Sequence, residues 1–217
     1  MENIHVATII QHFLHFEIGL LTILNPIAAA VIMVSLLNQP TDKQEIEMVS
    51  KKTSTTVLIA SFIVVLFGDM ALKLFGINVY SIKVIGGIVL LLISIKMIQG
   101  QFIETTRHSK AEQKEAIEKE DISIIPLAIP ILVGPGTMAT LLVFRIKAQN
   151  IVELITLIVA VVIATIIVYF TLKNAVYLTK ILKITGLKII TRIMGLVVGA
   201  IASQFIISGI KSLWNMY

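Results

Sequence analysis

Six long apolar stretches, at roughly 14–37, 55–75, 77–98, 122–144, 151–172 and 189–210, follow one another along the chain between polar connections. Each is about long enough to cross ~30 Å of hydrocarbon as a helix. None shows the period-two alternation of barrel strands, and a segment immersed in lipid must satisfy its backbone hydrogen bonds internally. The pattern predicts an all-α integral membrane protein with six transmembrane helices. The connections are short except at residues 100–121, which hold six of the 13 acidic residues. Lys114/Glu118 and Glu115/Lys119 there are spaced as i, i+4 pairs, so this segment reads as a solvated helical connector without chemistry of its own.

The linker divides residues 1–217 of one membrane domain into a first part of about 1–100 and a second of about 122–217, with 101–121 between them. Shifting the sequence by 109 residues brings Pro26 onto Pro135, Lys83 onto Arg192, Gly86 onto Gly195, Ser94 onto Ser203 and Gly100 onto Gly209 without a gap. Apolar matches are cheap in such a composition, but two mid-span prolines and a third-helix glycine pattern at one constant offset indicate an internal duplication. Three helices per repeat is an odd number, so the second repeat enters the membrane from the opposite face. The expectation is two inverted three-helix repeats, an arrangement that places a solute at the midplane where interrupted helices meet.

The first and fourth helices carry those interruptions. Asn25-Pro26 falls in the middle of LLTILNPIAAAVIM, and Gly134-Pro135-Gly136-Thr137 in the middle of PLAIPILVGPGTMATLLVF. Proline removes a backbone donor and clashes with the carbonyl four residues earlier. An unsatisfied polar group in hydrocarbon costs several kcal/mol, so such breaks persist where protein, water or a solute supplies hydrogen bonds. A half-helix starting near Gly136 points free N–H groups and the positive end of its dipole at the break, which suits an anionic group such as a carboxylate. Asn25, Pro26, Ile27, Gly134, Pro135, Gly136 and Thr137 are therefore the candidate substrate-binding residues.

Two carboxylates in apolar surroundings are candidates for coupling to protons: Asp69, with Lys73 one turn on, and Glu17 near the end of the first span. For Asp69 the plainer account is an ion pair at the interface. His12 and His15 lack the companions that a metal or haem site needs, Lys83 and Arg192 read as head-group anchors, and Gly86, Gly87, Gly195 and Gly199 as points of close helix packing. Lys and Arg number thirteen on the side of the first, third and fifth connections and five on the other, so the positive-inside rule predicts both termini outside the cytoplasm. MENIHVATIIQHF lacks the basic start and small-residue cleavage site of a removable signal peptide.

Composition agrees with lipid as solvent. Apolar residues make up 57% and charged residues 14%, against about 45–50% and about 25% in soluble domains, and mean hydropathy is +0.95. The net charge of +5 belongs to membrane flanks, since no aromatic-interleaved basic stripe accompanies it, and nucleic acid is not an expected partner. Cysteine is absent, which excludes thiolate catalysis, disulfides and iron–sulfur ligation. No nucleophile elbow, P-loop, dinucleotide fingerprint or zincin motif is present, so neither an enzyme nor a cofactor is expected. Oligomeric state leaves no signature in the sequence.

The stretches PLAIPILVGPGTMAT and TRIMGLVVGAIASQFIISGI resemble signatures of the MarC family of membrane proteins, NPIA at the first break resembles that family's NPIG, and FGINVYSIKVIGGIVLLLIS resembles its third-helix pattern. The resemblance covers essentially the whole chain. Ala28 departs from the family's usual glycine, Lys83 from its common arginine, and a proline often found just after that glycine is missing, which implies a tighter first break. The resemblance implies six spans in a bacterial or archaeal plasma membrane and secondary transport of a small neutral amino acid such as glycine or alanine, with proton coupling as an option. Such a substrate is a small zwitterion. The rival readings are an exporter of the LysE type, whose comparable motifs come in the reverse order along the chain, a channel, and a non-transporting scaffold.

Overall fold

The structure, a computed structural model, describes residues 2–37, 42–100 and 121–215, all of them helical or in short connections. The paired charges expected at 114–119 lie outside the described residues. In chain order the helices are α1 (Glu2–Leu24), α2 (Pro26–Leu36), α3 (Lys43–Leu74), α4 (Val79–Gln99), an irregular wound segment α5 (Ser123–Leu132), α6 (Pro135–Lys147), α7 (Ile151–Lys173) and α8 (Ala175–Trp214). Five spans are long and apolar enough to cross a membrane, Ala7–Leu36, Lys43–Leu74, Val79–Gln99, Ile151–Lys173 and Thr185–Trp214, and a sixth is made if α5 and α6, bent by 59° at their junction, count as one.

Local chemistry sets most of the helix ends. Asp42, Asn78 and Asn150 each accept a backbone N–H from the first turn of α3, α4 and α7, and Gly100 closes α4 in the left-handed conformation at φ 77°. α3 begins twelve residues before the expected start at 55. Its opening turns are polar overall, yet Ile46, Val49, Ser50 and Thr53 fall on one buried face, an amphipathic stripe that an apolar window overlooks. α8 is broken at Lys183, whose φ of 49° interrupts the helix, so the sixth span begins at Thr185, slightly earlier than expected. Lys52 donates to Asp121 Oδ2 at 2.7 Å and Thr53 Oγ1 to the Ser123 carbonyl at 3.0 Å, which ties the start of the second half to α3. The Lys52 hydrogen bond, helped by Ser123, holds the Asp121 carboxyl below the usual carboxylate range.

The buried apolar residues form two cores. The larger joins α1, α2, α3, α5 and α7 through Leu20, Ile32, Val57, Leu132, Leu157 and Ala164. The smaller joins α4 and α8 through Leu90, Met97, Val198, Ala202 and Phe205, with Val143 of α6 against it. α4 and α8 make the most extensive helix contact in the molecule. Glycines allow that approach: a Cβ on Gly87 would stand 2.9 Å from the Ala202 carbonyl oxygen, and one on Gly195 2.9 Å from Met97 Cβ. The glycines expected to serve close packing do so.

Candidate functional site

Proline at the first helical position defines both breaks. α2 starts at Pro26 and α6 at Pro135, where the missing N–H is one that a helix start leaves unpaired anyway. The residues before them differ. Asn25 takes the left-handed conformation, φ 45° and ψ 64°, which asparagine tolerates because its short side chain bonds locally. Its Oδ1 accepts the Ala28 N–H at 3.3 Å, its own N–H reaches the Leu21 carbonyl at 3.0 Å, and its carbonyl accepts from Ala29 at 3.1 Å. The first break is thus one non-helical residue inside a single span. Thr22 faces Pro26 four residues on, so its carbonyl finds no donor in the helix.

The second break is wider. α5 carries extended residues at Ile125 and Ile129, ahead of Pro126 and Pro130, and is held by long-reach bonds such as Val133 N–H to the Ala128 carbonyl at 2.8 Å. Gly134 is extended at φ −91° and ψ −177°, and no side chain caps α6. Gly136 and Thr137 therefore begin α6 with N–H groups that have no acceptor within the helix. The Thr137 hydroxyl donates back across the break to the Leu132 carbonyl at 2.7 Å. Gly134 is needed for space, since a Cβ there would lie 2.5 Å from the Pro130 carbonyl oxygen.

These two breaks line one cavity of about 180 Å³. Of the seven candidate residues, Asn25, Gly134, Pro135, Gly136 and Thr137 line it, while Pro26 and Ile27 do not. The cavity lies on the seam between the two cores: Leu24 and Ala29 come from the larger, Leu90, Met97 and Val198 from the smaller. Among the described residues, no charged side chain lines it. Its polar groups are backbone atoms of the breaks, the Thr137 hydroxyl and the Asn25 amide. The Asn25 side chain is buried, and its Nδ2 has no partner among the described residues, its Oδ1 being engaged by Ala28. A buried amide donor without a partner is an uncommon and costly feature.

Sequence reasoning found the breaks but missed Pro130, Leu90, Met97 and Val198 of the same cavity. Pro126 and Pro130, four apart ahead of the second break, were a legible signal of unwinding. The three apolar residues carried none, because apolar side chains are everywhere in this chain.

The coupling candidates separate clearly. Asp69 Oδ2 pairs with Lys73 Nζ at 2.7 Å, and its side chain is 35% exposed. Glu17 is 7% exposed, and among the described residues neither carboxyl oxygen has a hydrogen-bond partner. His12 Nδ1 stands 3.4 Å from Glu153 Oε1, and His15 Nε2 3.4 Å from Lys147 Nζ.

Long apolar helices, a buried break in one span and a bent pair beside it define a multi-pass integral membrane protein. The family description "MarC family integral membrane protein" matches residues 10–214, and the chain belongs to that family. It is 35% identical over 202 residues to the UPF0056 membrane protein MJ1677 of Methanocaldococcus jannaschii, covering 93% of this chain and 97% of the relative. It is 31% identical over 202 residues to the UPF0056 membrane protein YhcE of Escherichia coli K12, covering 93% of each. A UPF0056 membrane protein of Aquifex aeolicus is 32% identical over 202 residues, again with 93% of each covered. Relatives thus occur in both bacteria and archaea. No solved structure matches the chain.

Proposed function

We propose that this protein is a secondary transporter of a small zwitterion, a neutral amino acid of about glycine or alanine size, held between the two helix breaks. The observation that carries the reading is the buried, unpartnered Asn25 Nδ2 in the same cavity as the uncapped start of α6. The uncapped N-terminus of α6 and the Asn25 amide donor favour a carboxylate. A volume of about 180 Å³ falls below the ~300–1,000 Å³ of drug-sized pockets, so the guest is small. The lining holds no charged side chain, so the guest carries no net charge that would go unbalanced. The Thr137 hydroxyl is engaged with Leu132 and the cavity contains no acid–base pair, which favours transport over catalysis.

Alternating access follows from the cavity's place on the seam, where the α4–α8 pair rocks against the larger core and opens the site to one side and then the other. The duplication supports this. α4 and α8 are the third helices of the two halves and pair with each other; α3 and α7, the second helices, do likewise. α4 also packs on α6 as α8 packs on α2. Gly209 lies against Lys83 while Gly100 lies against Arg192, the same contact made by equivalent residues with the halves exchanged. Such reciprocity supports a two-fold relation between the halves, and with three spans in each half this reading sets the axis in the membrane plane.

Glu17 is the proton-coupling residue in this reading. Its carboxyl oxygens are buried without a partner among the described residues, and an ionisable group inside a span marks a proton path by default. Asp69, already paired, has no such role. Uptake of labelled glycine or alanine into proteoliposomes tests the proposal. The expected result is saturable accumulation that responds to an imposed proton gradient; absence of uptake of any small amino acid above empty vesicles, with folded protein verified, removes it.

A further inference from the structure

A second cavity of about 460 Å³ lies between α1, α4, α6 and α8. His15, Lys83, Lys147, Gln204 and Ser208 line one end of it. Lys83 is in the first turns of α4 and Lys147 is the last residue of α6, so this end sits where helices leave the hydrocarbon. The other end is apolar and reaches Ile23, which also lines the central cavity. From Ser208 to Val197 along α8 is eleven residues, ~16 Å of helix, about half of a ~30 Å hydrocarbon layer. The cavity is one leaflet deep, polar at the interface and apolar toward the midplane.

It also opens sideways. Ile18 and Val197, both lining it, are 59% and 37% exposed on spans whose outer surface faces lipid tails. Among the described residues, no carboxylate lines the basic end to neutralise its two lysines. Glu153, on the neighbouring α7, is paired with His12 rather than with either lysine. Two ammonium groups above an apolar trough open to the bilayer match the charge and polarity profile of a phospholipid with a net negative head group.

We propose that this groove holds one anionic phospholipid, its phosphate between Lys83 and Lys147 and an acyl chain lying along α1 and α8 down to Ile23. Because Ile23 belongs to both cavities, the bound lipid braces the wall of the central site, whatever solute that site takes. The proposal stands apart from the transport reading.

The test is thermal unfolding and native mass spectrometry of the purified chain in neutral detergent. Probes are phosphatidylglycerol, phosphatidylcholine with the same acyl chains, inorganic phosphate and glycine, each added separately. Phosphatidylglycerol should bind and stabilise more strongly than phosphatidylcholine, with little effect from inorganic phosphate at the same concentration, and glycine should leave the difference between the two lipids unchanged. Lys83→Gln combined with Lys147→Gln should weaken phosphatidylglycerol binding roughly 30-fold, since each basic contact near a head group contributes about a factor of five. Lys83→Arg with Lys147→Arg, which keeps the charges, should preserve the preference, as should Lys73→Gln outside the groove. Equal binding of the two lipids, a full effect from inorganic phosphate alone, or a preference that survives the double Gln change overturns the proposal. Loss of glycine uptake with the lipid preference intact counts against the transport reading alone.

Discussion

Gly134→Ala probes the second break with the smallest available perturbation. The backbone there is extended, at φ −91°, a conformation alanine adopts freely, so the change introduces no torsional strain. Its effect is steric. The new methyl would stand 2.5 Å from the Pro130 carbonyl oxygen, and its obstacle is backbone, held between Pro126 and the break, rather than the movable end of a side chain. Relief requires the α5–α6 junction to open by several tenths of an ångström, and overpacking of this kind costs about 1–3 kcal/mol. Gly186→Ala in α8 is the opposite case. Its Cβ meets nothing closer than Leu182 Cβ at 3.5 Å, so alanine should stabilise the helix by ~0.5–1 kcal/mol. Equilibrium unfolding of both variants in detergent, with and without glycine, separates packing from site geometry. Gly134→Ala should lose stability and the glycine-dependent stabilisation together, whereas Gly186→Ala should gain stability and keep it. Equal stability and equal glycine response in the two variants would refute the account of the break.

Asn25→Ala should cost about 1 kcal/mol by removing the Ala28 cap and placing alanine at φ 45°, while Asn25→Gly should cost only a few tenths, and both should abolish solute stabilisation because the Nδ2 is gone; unfolding with added glycine checks the pair. Asp69→Asn should alter stability by no more than about 0.5 kcal/mol and leave uptake unchanged, since an exposed i, i+4 pair contributes little. Glu17→Gln should fold as well as the parent chain, exchange internal for external glycine, and fail to accumulate it against a proton gradient; normal gradient-driven accumulation by this variant removes Glu17 from the mechanism. The Asp121 carboxyl, depressed by its Lys52 partner from an ordinary value of 3.8, contributes stability that is complete above that value and fades as pH falls. Asp121→Asn should therefore lose that contribution at neutral pH and converge with the parent chain as pH falls below about 4, which flattens the acid limb of its stability profile.

What the sequence made legible follows from how few kinds of residue survive in lipid. Prolines and asparagine inside apolar runs stand out, and so Pro26, Pro135 and Asn25 pointed to breaks that the structure contains. Less visible was anything made by apolar side chains against one another. Leu90, Met97 and Val198 wall the central cavity, yet nothing separates them from dozens of residues that face lipid. The early start of α3 was hidden for a different reason, because its buried stripe at Ile46, Val49 and Thr53 is diluted by lysines and glutamates on the outer face. The lateral groove at Lys83 and Lys147 depends on α4, α6 and α8 meeting in space, and pairs of residues 64 positions apart carry no local signature of that.

The native chain contains no cysteine, so a single thiol placed in the central cavity reports on that cavity alone. Ala28 is 3% exposed and lines it, and Ala28→Cys adds one atom at the wall opposite α6. The direct measurement is the rate at which a small water-soluble thiol reagent alkylates this residue in proteoliposomes, with and without solutes. A solute held between the breaks predicts slow but measurable labelling that glycine and alanine suppress in a saturable way and that bulky amino acids leave untouched. A labelling rate that no small amino acid changes, in protein of verified fold, contradicts the claim that the paired breaks form a binding site.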